Sequence, residues 1–317
     1  MLTANTVVST CFAMTIALSA SFASAQAYPD KPIPIVCSGA TQELISRLIA
    51  QGITTPLGQP VIVQTRPNVP IASETVAKAR ADGYTVLLAG SSFYVTPLTQ
   101  KMPYDPIKDF TALTVVGRAP IVLYVTPSLP VKSLKELIAY AKARPSELNS
   151  STGGIGGGSH IALEQLNTLA GIKIVPVPYT SGSQEMTDLI SGRIDMSFAP
   201  ASPLMDQVKL GKLRALAMTS LTPSALAPDL PTLASTLPGY EWSNMTTMSA
   251  PATTPRAIVD RLNREIVRVL SGTETKERML TAGMELAGTS PEQSAALLAA
   301  ETAKINKLIK AIGLEVK

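Results

Sequence analysis

Residues 146–199 hold the groups best placed to do chemistry in this chain. A glycine-rich turn, Ser150-Ser151-Thr152-Gly153-Gly154-Ile155-Gly156-Gly157-Gly158-Ser159-His160, opens directly into an amphipathic segment. A short apolar run, Ile174-Val175-Pro176-Val177-Pro178, then ends in Tyr179-Thr180-Ser181-Gly182-Ser183 and a second amphipathic segment. The first backbone N–H groups of a helix have no partner inside it, and they sit at the positive end of the helix dipole. A helix start that follows a small-residue turn is therefore an anion site built without a charged side chain. Two of them close together suggest a grip on a carboxylate.

In this reading Ser159 is the N-cap of its helix, and the amides from Gly156 through Gly157 and Gly158 to Ser159 face a cleft, with Gly154 in the same loop. The bland alternative is a flexible loop. The pattern is not a phosphate-binding Walker loop, because no Lys-Ser/Thr pair follows, and Ser159 replaces the last glycine of a dinucleotide fingerprint. His160, the single histidine, reads either as a ligand-side group or as a structural residue of the first helical turn. One histidine and one mature cysteine do not readily supply a metal site, and no cofactor is expected. Tyr179 could wall the pocket and offer its hydroxyl, or sit in the core; Thr180 and Ser183 read as caps, with Gly182 between them. Ser38, Gly39 and Thr41 end the first predicted strand, where open α/β sheets bind ligands. Gly90-Ser91-Ser92 ends the third and brings two hydroxyl donors. Cys37 reads as a small buried strand residue, Asp188 as part of a solvated or capping network, and Trp242 as a cleft, core or hinge residue. Catalysis has little support: Ser159 and His160 are adjacent on one helical turn without an aligned triad, and no G-x-S-x-G is present.

A chain of 317 residues, 45 % hydrophobic, can bury one large domain or two lobes. Basic residues are scattered and aromatics make up only 4 %, which argues against nucleic-acid binding, and the net charge of +4 is modest. Before the first charged side chain, Asp30, lies an apolar stretch from Val7 to Phe22, followed by Ala23-Ser24-Ala25. This small-x-small pattern predicts a signal peptide over residues 1–25 and a periplasmic product starting at Gln26, with Ala25-Gln26-Ala27 as the other cleavage site. The n-region lacks Lys and Arg, yet the stretch is short and Ser/Thr-laden for a membrane span, and no stop-transfer charges follow. Cys11 leaves with that peptide, so the mature chain keeps only Cys37 and forms no internal disulfide. No later segment is long and apolar enough to span a bilayer. A monomer is expected.

These residues must be positioned by the elements around them. β-branched runs alternate with helical patterns: a strand over 33–36, an apolar helical face of Leu44, Ile45, Leu48 and Ile49, a strand over 61–64, a helix over 73–80 and a strand over 85–88. Leu113–Val116 and Ile121–Val125 are two extended runs that could cross between lobes. Ser133-Leu134-Lys135-Glu136 is a capping box, and Pro145 stops the helix it starts. Strands near 147–151, 174–177, 194–198 and 213–218 then alternate with helices over 159–170, 183–191 and 203–210. Residues 221–241 read as a long surface connection, and Met245–Ala250 as a second crossover. Thr254 is predicted as an N-cap with Pro255 at the first helical position, and Ser290-Pro291-Glu292-Gln293 starts the last helix with both devices. The order βαβα implies an α/β fold of two lobes, each a mostly parallel sheet flanked by helices. Two crossover segments join them, with 26–120 plus 251–317 as lobe 1 and 121–250 as lobe 2. Such a hinged body holds its ligand between the lobes.

The chain resembles the Bug-type periplasmic solute receptors of tripartite tricarboxylate transporters. The matching stretches are Tyr28-Pro29-Asp30-Lys31-Pro32-Ile33, Leu57-Gly58-Gln59-Pro60-Val61, Pro103-Tyr104-Asp105-Pro106, Val177-Pro178-Tyr179, Asp188-Leu189-Ile190-Ser191-Gly192, Gly211-Lys212-Leu213-Arg214-Ala215-Leu216-Ala217, Pro228-Asp229-Leu230-Pro231-Thr232 and Leu237-Pro238-Gly239-Tyr240-Glu241. They run through the mature chain in order. The resemblance implies a Venus-flytrap receptor, not an enzyme, that hands a small carboxylate to membrane permease subunits. Three departures stand out. Cys37-Ser38-Gly39-Ala40-Thr41-Gln42-Glu43 is shorter than the family's loop, with Glu43 near the family's Asp. Arg66-Pro67 leads into Asn68-Val69-Pro70 without the usual glycines. Ala199 ends a strand where an Asp often stands, at a position that lines the site. These changes remodel the first lobe's share of the site. They raise two alternatives: a member that has lost ligand affinity through its shortened loop, and a ligand sensor that docks on a membrane signalling protein.

Overall fold

The computed structural model describes residues 28–315 apart from Ile155. The expected signal peptide, with Cys11 and both cleavage sites, lies outside the described residues. No described helix is long and apolar enough to cross a membrane.

The chain opens with β1 (Ile33–Cys37), α1 (Ala40–Leu57), β2 (Val61–Thr65), α2 (Val69–Ala77), β3 (Val86–Ala89) and α3 (Ser92–Thr99). β4 (Phe110–Ala119) and β5 (Val122–Val125) follow, then α4 (Leu134–Ala143), β6 (Asn149–Thr152), α5 (Gly158–Ala170), β7 (Val175–Pro178) and α6 (Gly182–Ile190). β8 (Met196–Ala199), α7 (Ala201–Lys209) and β9 (Arg214–Met218) complete this run. The chain ends with β10 (Asn244–Pro251), α8 (Arg256–Leu270), α9 (Thr273–Thr281), β11 (Glu285–Leu286) and α10 (Pro291–Ala311).

Local chemistry explains most boundaries. Gly58 closes α1 in the left-handed region at φ 72°, its N–H bonding the Thr54 and Thr55 carbonyls. Ser290 and Gln293 form the reciprocal capping box of α10. Three expectations need correction. α2 begins at Val69 rather than Ser73, because the Asn68 side chain caps the Ile71 N–H and Pro70 fits the first turn. Pro255, not Thr254, holds the cap position of α8; the Thr254 hydroxyl instead donates to the Pro251 carbonyl. At α4, Ser133 caps the Glu136 N–H, but Glu136 accepts from the Lys132 N–H, so the box is not reciprocal.

The strands form two sheets, ordered β11-β4-β10-β3-β1-β2 and β7-β6-β8-β5-β9. β1 pairs parallel with β2 and β3, and β6 pairs parallel with β7 and β8. The crossover strands run against this direction: β10 is inserted antiparallel between β3 and β4, and β5 antiparallel between β8 and β9. Both sheets are therefore mixed, with most strands running one way.

The two passages between the sheets lie side by side. β4 ends the first sheet at Ala119 and β5 starts the second at Val122, while Asn244, where β10 returns, pairs with Ala119. Thr219 ties the passages together. Its N–H donates to the Ile121 carbonyl, its hydroxyl oxygen accepts from the Ile121 N–H, and its carbonyl accepts from the Trp242 N–H. All three residues are buried.

One core runs from the first sheet's inner face (Val36, Leu87, Val115) and Phe93 of α3 through Tyr240 and Trp242 to the second sheet (Leu123, Met196) and α5. α1 and α8 cover the other face of the first sheet, and α6 and α7 the other face of the second. Ile49 of α1 is fully buried in the α1–α8 layer. Ile49→Ala is expected to destabilise the protein by about 2–5 kcal/mol, read as a lower urea midpoint with an unchanged slope.

Candidate functional site

The candidate residues gather at the carboxyl ends of the strands. Thr152 and Pro178 are opposite in the β6–β7 pair, so the glycine loop and the Tyr179 loop leave the second sheet side by side. The Tyr179 N–H donates to the Thr152 carbonyl at 2.8 Å. Ala199 ends β8, the neighbour of β6 on its other side. In the first sheet Ser38 follows β1 and Ser91 follows its neighbour β3.

The glycine loop is organised more tightly than its composition predicts. Gly154 and Gly156 have φ of 107° and 77°, a region that favours glycine. The Gly153 N–H donates to the Ser159 hydroxyl at 2.9 Å, the Gly157 N–H to the Gly154 carbonyl at 3.1 Å, and the Gly156 N–H to His160 Nδ1 at 3.0 Å. Two expectations are thereby corrected. Gly157, not Ser159, holds the cap position of α5, and Ser159 lies inside the first turn, folding back on the loop. The amides of Gly156 and Gly157 are engaged inside the loop rather than offered to a cleft. The first-turn amides of Gly158, Ser159 and His160 have no carbonyl four residues back within α5, at the positive end of its dipole.

This loop abuts the first sheet's side of the molecule. A Cβ on Gly156 would lie 3.2 Å from Thr99 Oγ1 of α3; one on Gly158 would lie 2.8 Å from Asn244 Oδ1 and 3.3 Å from the Trp242 ring. Asn244 Oδ1 also accepts from the Ser91 hydroxyl at 2.9 Å. Ser91, Asn244 and the start of α5 thus converge. Trp242 is fully buried beside them and is a core residue at the crossover.

His160 is buried, and burial holds its imidazole below the ordinary 6.5. With Nδ1 accepting from Gly156, a neutral ring carries its proton on Nε2, which faces Glu164 Oε1 at 3.7 Å. Burial also raises the Glu164 carboxyl above its usual range. Each group is thus pushed away from its charged form, and the contact is not an ion pair at neutral pH.

The Tyr179 loop differs from expectation. The Tyr179 hydroxyl donates to Asp188 Oδ2 at 2.8 Å instead of pointing to a ligand, and Arg193 donates to Asp188 Oδ1 at 3.0 Å. Asp188 is buried in this network. Thr180 and Ser183 do not cap α6: Ser181 holds the cap position without a side-chain cap bond, and its hydroxyl bonds that of Ser183 at 2.9 Å. Gly182 is the first residue of α6. Glu185, which sequence reasoning missed, accepts from Ser151 and Ser197, both at 2.7 Å, and anchors α6 to β6 and β8. A cavity of about 270 Å³ opens between α6 and α7, lined by Gly182, Glu185, Met186, Leu189, Ala199 and Leu204.

On the first sheet, Gly39 has φ 89° and caps α1 without a side-chain bond; Ser38 is half-buried and Thr41 exposed. Gln42 was also missed. Its Oε1 lies 3.1 Å from where a Gly39 Cβ would stand and its Nε2 2.9 Å from a Gly90 Cβ, so its amide spans the ends of β1 and β3. Glu43 is held by Arg47 and the Thr65 hydroxyl, which keep its carboxyl below the usual range. Ser92 opens α3 and is exposed. Cys37 is a buried strand residue.

Two outcomes follow from this geometry. Gly158→Ala places a methyl against Asn244 and is expected to cost about 1–3 kcal/mol of stability, part of which Asn244→Ala in the same chain restores, measured by urea denaturation. The unfolded chain takes up the imidazole proton first on acidification. His160 therefore contributes stability that is present above the unfolded value of 6.5 and lost as pH falls through the lower folded one. His160→Gln, which keeps an acceptor for Gly156, is expected to flatten the fall in Tm on the acidic side of pH 6.5. Glu164 acts in the opposite direction but is common to both proteins.

Comparisons with known proteins place the fold and the family. Residues 45–314 match the family model described as "Tripartite tricarboxylate transporter family receptor". BugT of Bordetella pertussis is 30% identical, over 93% of this chain and 93% of its own. Rpa4515 of R. palustris, solved with adipate, superposes with a TM-score of 0.74 at 32% identity, covering 90% of this chain and 98% of that one. The periplasmic binding protein BugD superposes with a TM-score of 0.72 at 28% identity, over 92% of this chain and all of its own. The chain belongs to the tripartite tricarboxylate transporter receptor family, whose members are solute-binding proteins.

Proposed function

We propose that this protein captures a small carboxylate in the periplasm, between lobe 1 (residues 26–120 and 251–317) and lobe 2 (residues 121–250), and delivers it to the permease subunits of a tripartite tricarboxylate transporter. One observation carries the reading: helix starts without side-chain caps stand at the carboxyl ends of strands in both sheets, across adjacent crossovers. The adipate in Rpa4515 supports the ligand class.

Lobe 2 grips the carboxylate through the first-turn amides of Gly158, Ser159 and His160, with the start of α6 at Gly182 and Ser183 beside it. Gly154, Gly156 and Gly157 shape the loop, and His160 positions it through the Gly156 N–H. Ser38, Gly39, Thr41, Ser91 and Ser92 supply the lobe 1 side, while Thr180 and Ala199 border lobe 2. A helix end contributes about 0.3–1 kcal/mol and a hydrogen bond to a charged group about 1.5–3 kcal/mol. Several such terms together offset the cost of desolvating and ordering a small anion. Closure follows because a ligand that touches both lobes makes its full set of contacts only when they meet.

The test is a thermal-shift panel of short mono- and dicarboxylates. A ligand at 100 times its Kd is expected to add about 2.7 kcal/mol, seen as a Tm rise of several degrees. A flat response across the panel refutes the proposal.

A further inference from the structure

We infer that the preferred cargo carries one carboxylate and, at its other end, a neutral group that both donates and accepts hydrogen bonds, an amide or a hydroxyl, which Gln42 reads. This rests on the capture reading above and adds to it the chemistry of the second end.

Gln42 stands in the first turn of α1, half-buried, with its amide laid across the ends of β1 and β3. Gly39 and Gly90 leave the room it occupies: a Cβ on Gly90 would lie 2.9 Å from Nε2, and one on Gly39 3.1 Å from Oε1. A side-chain amide presents a donor and an acceptor side by side. A ligand carboxylate, which only accepts, satisfies Nε2 and sets its own lone pairs against Oε1. An amide or hydroxyl satisfies both atoms.

Charge acts in the same direction. Glu43 is the next residue, and Arg47 with Thr65 keeps its carboxylate ionised. Arg47 is therefore already paired, and Arg66, just beyond β2, donates to the Gln64 side chain. Arg47 is committed to Glu43, so this pair brings no free cation to a second carboxylate at Gln42.

The experiment is isothermal titration of the purified protein with matched pairs of equal length: succinate against succinamate, and adipate against adipamate. The half-amide is expected to bind at least about tenfold tighter, as a site built around a polar partner discriminates against the analogue that leaves it unmatched. Gln42→Ala is expected to bring each pair close together. Gln42→Glu, which accepts but does not donate, is expected to widen the preference, because it repels the diacid and still accepts from the amide N–H. Diacids that bind wild type as well as or better than their half-amides overturn the inference. So does an unchanged ratio in both variants, each checked for a wild-type circular dichroism spectrum. Failure of every member of both pairs to bind overturns the capture reading itself.

Discussion

The fold turns on a small hydrogen-bonded knot where the chain passes between sheets. Thr219 binds Ile121 through both its backbone N–H and its hydroxyl, and Trp242 through its carbonyl, joining the outgoing passage at 119–122 to the returning one near 242–244. These are buried backbone groups, and each is costly to leave unpaired. Neither passage can slide without breaking the bonds it shares with the other. The mixed sheets follow from the same feature: the crossover strands β5 and β10 insert against the direction of their neighbours.

Beside the knot, the start of α5 is brought against Ser91 and Asn244 by glycines that leave no side chain in the way. The loop that leads there is held internally by Ser159 and His160. Its rigidity explains how a segment of glycines can present helix-start amides in a fixed direction. The loop amides of Gly156 and Gly157 are taken up inside the loop, whereas the first-turn amides of Gly158, Ser159 and His160 have no carbonyl four residues back within α5. Neutral backbone dipoles hold a negative charge at lower desolvation cost than a buried lysine would, because the partner needs no stripping of a hydrated ion.

Signals confined to a few neighbouring residues are legible in the amino-acid order itself. The strands at 33–37 and 61–65, the Ser290–Gln293 capping box and the apolar face of α8 depend on contacts within a turn or a pleat, so their residues carry the pattern locally. α2 starts ahead of its expected position because Asn68 and Pro70 act as a start signal that apolar periodicity does not register. Thr254 has the form of a cap, yet its hydroxyl found a nearer carbonyl at Pro251.

The site divides along the same line. The sequence alone determined that helix starts rich in small residues follow strands, that the chain crosses twice between two α/β units, and that the family pattern runs through it. These are matters of residue type and spacing. Tertiary structure alone decided which partner each of these polar groups takes. Tyr179 turned to Asp188, Ser181 displaced Thr180 and Ser183 as the cap of α6, and Glu185 reached serines on two strands. Asn244 met Ser91 across 153 positions of chain, and Gln42 came to lie over Gly90. A hydrogen-bonding group takes whichever partner folding brings within about 3 Å, and partners far apart in sequence are chosen by packing rather than by any local pattern.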